Sequence, residues 1–317
     1  KIAIGRLYSG TLKKGMQIAH INRAGVIKKT QLTSIMLFSG LAKVEAEEVE
    51  AGDIACVAGI PDISIGETIA DAENPIALPV IKIDEPTIKM TFAVNTSPFS
   101  GREGQYTTSR NLNERLQREL ETDVALSVTS TGSPDRWVVA GRGELHLAIL
   151  IEKMRREGYE LEVSKPQVIF KEVDGPSAGS GQAKLLEPME LLSVEVPEKF
   201  GGTVIEMMGQ RLGVMKDMRV DRAVTFMDFA IPTRGLIGIR NNFLTSTKGL
   251  GIMNSIFLGY EEFKGELSVN PHGSLIASEA GASNSYGLLN AQPRGTLFIG
   301  PGVDVYEGIV IGEIAKD

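Results

Sequence analysis

Along residues 1–82 the apolar positions fall in short alternating or continuous runs, IAIGRLY, MQIAHIN, QLTSIMLF and DIACVAGI, each closed by a glycine-bearing turn. Runs of that length separated by turns predict short strands that close into a small barrel. Pro75, Pro79 and Pro86 mark its exit. From Glu85-Pro86 the period changes. TIKMTFAV reads as a strand, Ser97–Gly104 as a polar loop, and Tyr106, Leu112, Leu116 and Leu120 as one face of a helix, with a strand at Val124–Val128. Trp137 to Val163 then supplies a strand, a Gly-Arg-Gly turn, a helix closed by Gly158, and another strand. The predicted apolar face of that helix is Leu145, Ile149 and Met154, with Leu147, Leu150 and Ile151 beside them. The order is β-α-β-β-α-β, the split βαβ or ferredoxin-like arrangement.

The small polar run DGPSAGSGQAK reads as a flexible linker, after which Glu187-Pro188 repeats the Glu85-Pro86 pair. A strand (LLSVEV), a helix with Val204, Met207, Met208 and Leu212, two strands (GVMKDMRV, VTFMDFAI), a helix-prone run at Arg240–Thr247 and a strand (MNSIFLGY) repeat the same order. The remainder carries strands such as GSLIAS, GTLFIG and GIVIGEIA between Gly and Pro turns. The predicted fold class is therefore multidomain β and α+β: a β-barrel at 1–82, ferredoxin-like domains at 83–174 and 186–260 joined by a linker at 175–185, and a β-rich, incomplete domain at 261–317.

Composition narrows the function classes. With 42% hydrophobic and 23% charged residues the chain is an ordinary globular protein. It has no membrane-length apolar run and no signal-peptide start. Cys56 is the single cysteine, which excludes a disulfide framework and suits the cytoplasm. The chain opens on Lys1-Ile2-Ala3 without an initiator Met, so it is expected to be the later portion of a longer protein.

A net charge of −7 argues against a generic nucleic-acid binder, but the charge is segregated. Residues 1–40 hold seven Lys and Arg and no acid, residues 41–75 nine acids against Lys43, and Phe229 to Tyr260 is acid-free with Arg234, Arg240 and Lys248.

Three spaced matches, G-R-L-Y-S-G-T-L-K-K-G-M at Gly5–Met16, A-G-D-I-A-C-V-A-G-I at Ala51–Ile60 and I-G-E-T-I at Ile65–Ile69, resemble the second-domain barrel of translational GTPases such as EF-Tu and EF-G. G-R-G-E-L-H-L at Gly141–Leu147 is similar to the third-domain signature of EF-G-like factors. S-P-F-S-G-R-E-G at Ser97–Gly104, M-R-R-E-G-Y-E-L at Met154–Leu161 and I-P-T-R-G-L-I-G-I-R at Ile231–Arg240 resemble the BipA (TypA) family of ribosome-binding GTPases. The resemblance implies a ribosome-docking portion without its G domain, acting in translation or ribosome assembly under stress or cold. GTP and Mg²⁺ would belong to the absent domain. The implied partners are rRNA, A-site tRNA and ribosomal proteins, with the protein a monomer and no membrane involved. The barrel would face small-subunit rRNA, the second split βαβ domain the stalk-base rRNA, and the tail the tRNA. Three features depart from the family: the linker Pro176–Lys184 is longer and less regular, the Gly/Asn-bearing hairpin loop expected between Met218 and Val224 is missing, and the tail ends before a basic last portion.

The chain contains no G-x-x-x-x-G-K-S/T phosphate cradle, so hydrolysis is not expected of it. Among the histidines, His20, His146 and His272, none sits at metal-ligand spacing. Glu144 is placed to cap the helix that carries His146, and the two point apart on it. RNA is gripped largely through phosphates and 2′-OH groups by scattered cations and small polar residues. The candidates for that role are Lys13, Lys14, Lys28 and Lys29 on the barrel, and Arg234, Arg240 and Lys248 on the second split βαβ domain. The alternatives are an EF-G- or LepA-like factor, a stand-alone enzyme with a pocket between the split βαβ domains, and a structural partner-binding protein without RNA contact.

Overall fold

The computed structural model describes residues 1–81, 85–173, 184–267 and 273–314. The linker reading at 175–185 and His272 therefore fall largely or wholly outside the described residues. The chain divides into two compact units, Lys1–Glu85 with Asn113–Val128, and Pro86–Leu112 with Thr129–Asp317. No helix among the described residues is long and apolar enough to cross a membrane.

The first unit holds β1 (Ile2–Arg6), β2 (Thr11–Lys13), β3 (Gln17–Ile21), β4 (Ile27–Gln31), β5 (Ser34–Ser39), β6 (Ala42–Glu45), β7 (Glu48–Glu50), β8 (Ile54–Ala58) and β9 (Thr68–Asp71). They assemble as a sheet β1-β8-β5-β6, a sheet β4-β3-β9 and a ribbon of β2 with β7. Ile18, Leu32, Ile35, Val49 and Val57 meet in the core. Strand β3 is buried at four of its five positions, which is why it reads as an apolar run rather than an alternation. Cys56, in β8, is a fully buried core residue.

Next come β10 (Ile88–Ala93), α1 (Ser109–Leu120), β11 (Ser127–Ser130), β12 (Arg136–Gly141), α2 (Glu144–Arg156), β13 (Glu162–Val163) and β14 (Gln167–Val168). The sheet order β11-β12-β10-β13 is that of a split βαβ fold. Two expectations need correcting. Tyr106 is not on α1: Thr108 Oγ1 accepts the Asn111 N–H and starts the helix after it, while the Tyr106 ring lies 4.7 Å from that of Tyr159. On α2 the buried residues are Leu147, Leu150 and Met154, whereas Leu145 is 67% exposed and Ile149 47%. Positions i, i+3 and i+7 from Leu147 define the face; the face drawn through Leu145 lies beside it.

The third group is β15 (Lys171–Val173), β16 (Lys184–Pro197), α3 (Gly201–Gln210), β17 (Val214–Asp221), β18 (Val224–Pro232), α4 (Thr233–Leu236), α5 (Ile239–Ser246) and β19 (Ile252–Glu262). β16 lies between β18 and β19, and β17 flanks β18, so the split βαβ order recurs. Val194, Met208, Phe229 and Phe243 centre its core, with Met207 packed at the margin. β17 and β18 are joined by Arg222 and Ala223, whose φ of 48° and 65° are both left-handed. Such a two-residue turn ordinarily takes Asn-Gly, so Arg-Ala in its place makes a strained link.

The tail holds β20 (Ser274–Ile276), β21 (Gly281–Ala282), α6 (Ser285–Ala291), β22 (Gly295–Leu297), β23 (Asp304–Val305) and β24 (Val310–Ile314), with sheets β20-β24-β22 and β21-β23. Helix α6 was not expected. Asn284 Oδ1 accepts the Gly287 N–H at 2.7 Å and caps it.

Candidate nucleic-acid interface

The barrel places the acid-free first forty residues against the acid-rich segment that follows them. β2 runs antiparallel to β7 with Lys13 opposite Glu48. Lys13 Nζ lies 3.4 Å from Glu48, and Lys14 Nζ 3.8 Å from Glu45 and 3.6 Å from Glu47. Lys28 donates to Asp62 at 2.7 Å, and that contact is the main reason the Asp62 carboxyl sits below its ordinary value. All of these side chains are well exposed, so the pairs are weak. Charge segregation along the chain thus does not become an equally basic surface.

Lys28 and Lys29 are neighbours in β4, opposite His20 and Ala19 of β3 respectively, so alternation turns them to opposite faces of the sheet. They do not form one patch. Lys29 is exposed and makes no ion pair with the described residues. The Lys13–Lys14 turn is seated at the end of β4 by Gln31 Nε2 donating to Gly15 O at 2.7 Å.

Sequence reading missed a pairing in this unit. His20, 6% exposed at its side chain, lies 2.7 Å from Glu67 Oε2, which also accepts the Ser64 N–H at 2.8 Å. The two residues are far apart in the chain, and only the β3–β9 pairing brings them together.

In the second unit the three candidates separate. Arg234, in α4, is 12% exposed and forks onto the fully buried carboxylate of Glu187, at 3.2 Å through one nitrogen. It also donates to Gly265 O at 2.6 Å and lies over the Phe263 ring, 4.6 Å from its centre. Arg234 is therefore an internal tie and is not offered to RNA, which corrects the expectation for that residue. Arg240 opens α5 and Lys248 follows its end. Both are exposed without an ion pair to the described residues, and Asn241, Asn242 and Thr245 are exposed between them. Ile239, Phe243 and Thr247 turn inward. Arg240 is the second residue of α5 and Lys248 lies two residues past its end, so the two cations stand at opposite ends of the helix.

Around this face the signature residues act as fasteners. Arg211 Nη1 donates to Gly235 O (2.8 Å) and Ile237 O (3.0 Å). A Cβ at Gly235 would lie 2.6 Å from Arg211 O, so only glycine fits. Glu144 does not cap α2, as its position suggested; its Oε2 accepts the Gly238 N–H at 3.1 Å, at the start of α5. His146 Nδ1 accepts the Arg142 N–H at 3.3 Å, a structural contact at the entry to α2.

Comparison with known proteins agrees with this architecture. Residues 1–70 match Elongation factor Tu domain 2, 103–165 Elongation Factor G domain III, 184–270 the Elongation factor G C-terminus, and 272–317 the TypA/BipA C-terminal domain. The last match separates the chain from the EF-G- and LepA-like alternatives. The chain is 47% identical to the large ribosomal subunit assembly factor BipA of Bacillus subtilis, over 100% of its own length and 51% of the relative's. It is 48% identical to a putative TypA-like chloroplastic elongation factor of Arabidopsis thaliana, over 98% of this chain and 45% of that one. Against the BipA of Escherichia coli K12 the figures are 42%, 98% and 50%. The chain spans about half the length of the curated relatives it matches. With translation-factor modules in this order, closed by the TypA/BipA C-terminal domain, and with more than 40% identity from end to end, the chain belongs to the BipA/TypA family.

Proposed function

We propose that this chain is the ribosome-docking part of a BipA/TypA protein and grips folded rRNA by its backbone. The observation that carries the reading is the acid-free outer face of α5, where Arg240 and Lys248 stand exposed and unpaired among Asn and Thr side chains. Such a face suits shape and phosphate recognition of A-form RNA better than base reading. Lys29 adds a cation on the barrel, and Lys13, Lys14 and Lys28 add cations held only by exposed pairs. The likeness to the Bacillus subtilis large ribosomal subunit assembly factor supports the ribosome as the target. In this reading the tail approaches A-site tRNA, and the docked protein works in the cytoplasm.

GTP and Mg²⁺ do not fit the residues of this chain. It has no Gly-rich loop ending in Lys-Ser/Thr, and among the described residues no three His, Cys, Asp or Glu side chains converge. Nucleotide chemistry is assigned to a P-loop domain of the full-length protein, and this chain contributes binding.

Ribosome co-sedimentation across a salt series tests the reading. A phosphate-gripping surface loses affinity steeply as salt rises. Arg240→Glu with Lys248→Glu should weaken pelleting at least about tenfold at low salt, since each like-charge contact now opposes binding. Binding that ignores salt, or that survives the double reversal unchanged, would reject the docking face.

A further inference from the structure

We propose that the Ser97–Gly104 loop is a joint that locks the tail (residues 273–314) to the first split βαβ module, with Arg102 and Phe99 as its contact residues and Glu160 as the residue that positions them. Arg102 Nη1 lies 3.3 Å from Asp304 Oδ2, on β23 of the tail. The Phe99 ring meets Tyr306 edge-on, 5.0 Å between centres and 85° between planes. The Arg102 guanidinium also stacks 3.9 Å from the centre of the Phe99 ring. One cation thus joins an aromatic of its own loop to a carboxylate of the tail, and the stack fixes the guanidinium before the pair forms.

The loop is built to present those two residues. Glu160, on the far side of α2, accepts from the N–H groups of Gly101 (2.7 Å), Glu103 (2.8 Å) and Gly104 (2.9 Å) and from Asn95 Nδ2 (3.3 Å). Successive N–H groups around one carboxylate form an anion nest, and these donors hold the Glu160 carboxyl down at about 2. A Cβ at Gly104 would sit 2.7 Å from Glu160 Cγ, so the loop closes on the carboxylate only through glycine. Ser97 Oγ accepts the Phe99 N–H at 3.3 Å, and the Arg102 N–H donates to Phe99 O at 3.2 Å, setting both contact residues on one turn. A loop serving only to connect β10 to α1 would not require this many constraints.

The test is the distance distribution between nitroxides at Lys165→Cys, on the first module, and Glu279→Cys, on the tail, in the full chain with Cys56→Ala. One narrow distribution is expected. Arg102→Asp and, separately, Phe99→Ala should make it about twofold wider as the tail samples further orientations. Arg102→Asp with Asp304→Arg should return it to the narrow form, which a misfolded loop could not do. Glu160→Gln should broaden it in the same direction. Unchanged width in both Arg102→Asp and Phe99→Ala, or a charge swap that fails to restore it, overturns the joint.

Discussion

Removing the guanidinium of Arg234 would leave the Glu187 carboxyl group in a site with no exposure, holding among the described residues only the Lys264 N–H at 2.7 Å. A broken buried pair of this kind costs about 3–5 kcal/mol, because the survivor is neither solvated nor paired. Arg234→Ala should therefore lower the unfolding free energy of its unit by about that amount, read as an earlier denaturant midpoint. Arg234→Lys, keeping the charge and losing the fork, should fall between the two. Near-native stability in Arg234→Ala together with lost ribosome binding would return the residue to the RNA-facing set. The charge of Arg234 was visible in the sequence. Its partner was not, since Glu187 stood out only as half of a repeated Glu-Pro pair, and the sheet that buries it is built from distant strands. For Lys28 and Lys29 the signal was available: adjacent residues on a strand point opposite ways.

Elements tell the same story in their own terms. Both split βαβ orders were legible because alternating strands and amphipathic helices carry their period in the chain itself. Helix α6 was not, since seven residues held by one Asn cap leave almost no periodic signal. At the β17–β18 turn, Arg222 and Ala223 hold left-handed conformations without a glycine. Replacing them by Asn-Gly should raise stability by roughly 1 kcal/mol through relief of that strain; an unchanged or lower denaturant midpoint would mean the turn is not strained. The Ser97–Gly104 loop gives a pH prediction. Glu160 has its carboxyl lowered from 4.5 to about 2 by backbone N–H donors. A depressed carboxyl adds stability that is fully present above its unfolded value and is lost as pH falls through the folded one. The loop should stay closed down to about pH 4 and open between there and about pH 2. Carbon-detected NMR of the Glu160 carboxyl should find its midpoint near the lower end; titration at an ordinary value would mean the nest is not formed in solution.

At the scale of the whole molecule, the question is which cations an RNA surface would feel on a body of net charge −7. Beyond about 8 Å at physiological salt the acidic total is screened, so local pairing decides. Lys13, Lys14 and Lys28 each face a carboxylate within 4 Å, and binding a phosphate there exchanges one anion for another with little counterion released. Arg240, Lys248 and Lys29 have no such competitor among the described residues. The salt dependence of ribosome binding should register the difference. Losing an unpaired cation that touches phosphate lowers the slope of log affinity against log salt by about 1. Arg240→Ala with Lys248→Ala should lower it by about 2 on that basis, and Lys29→Ala by about 1. Lys13→Ala, Lys14→Ala and Lys28→Ala should each lower it by less. Reversing Glu47 and Glu48 instead should strengthen binding, by releasing Lys13 and Lys14 and removing two repelling charges. If the paired lysines dominate the slope while Arg240 and Lys248 leave it untouched, the RNA meets a different surface of this chain than the one its unpaired charges mark out.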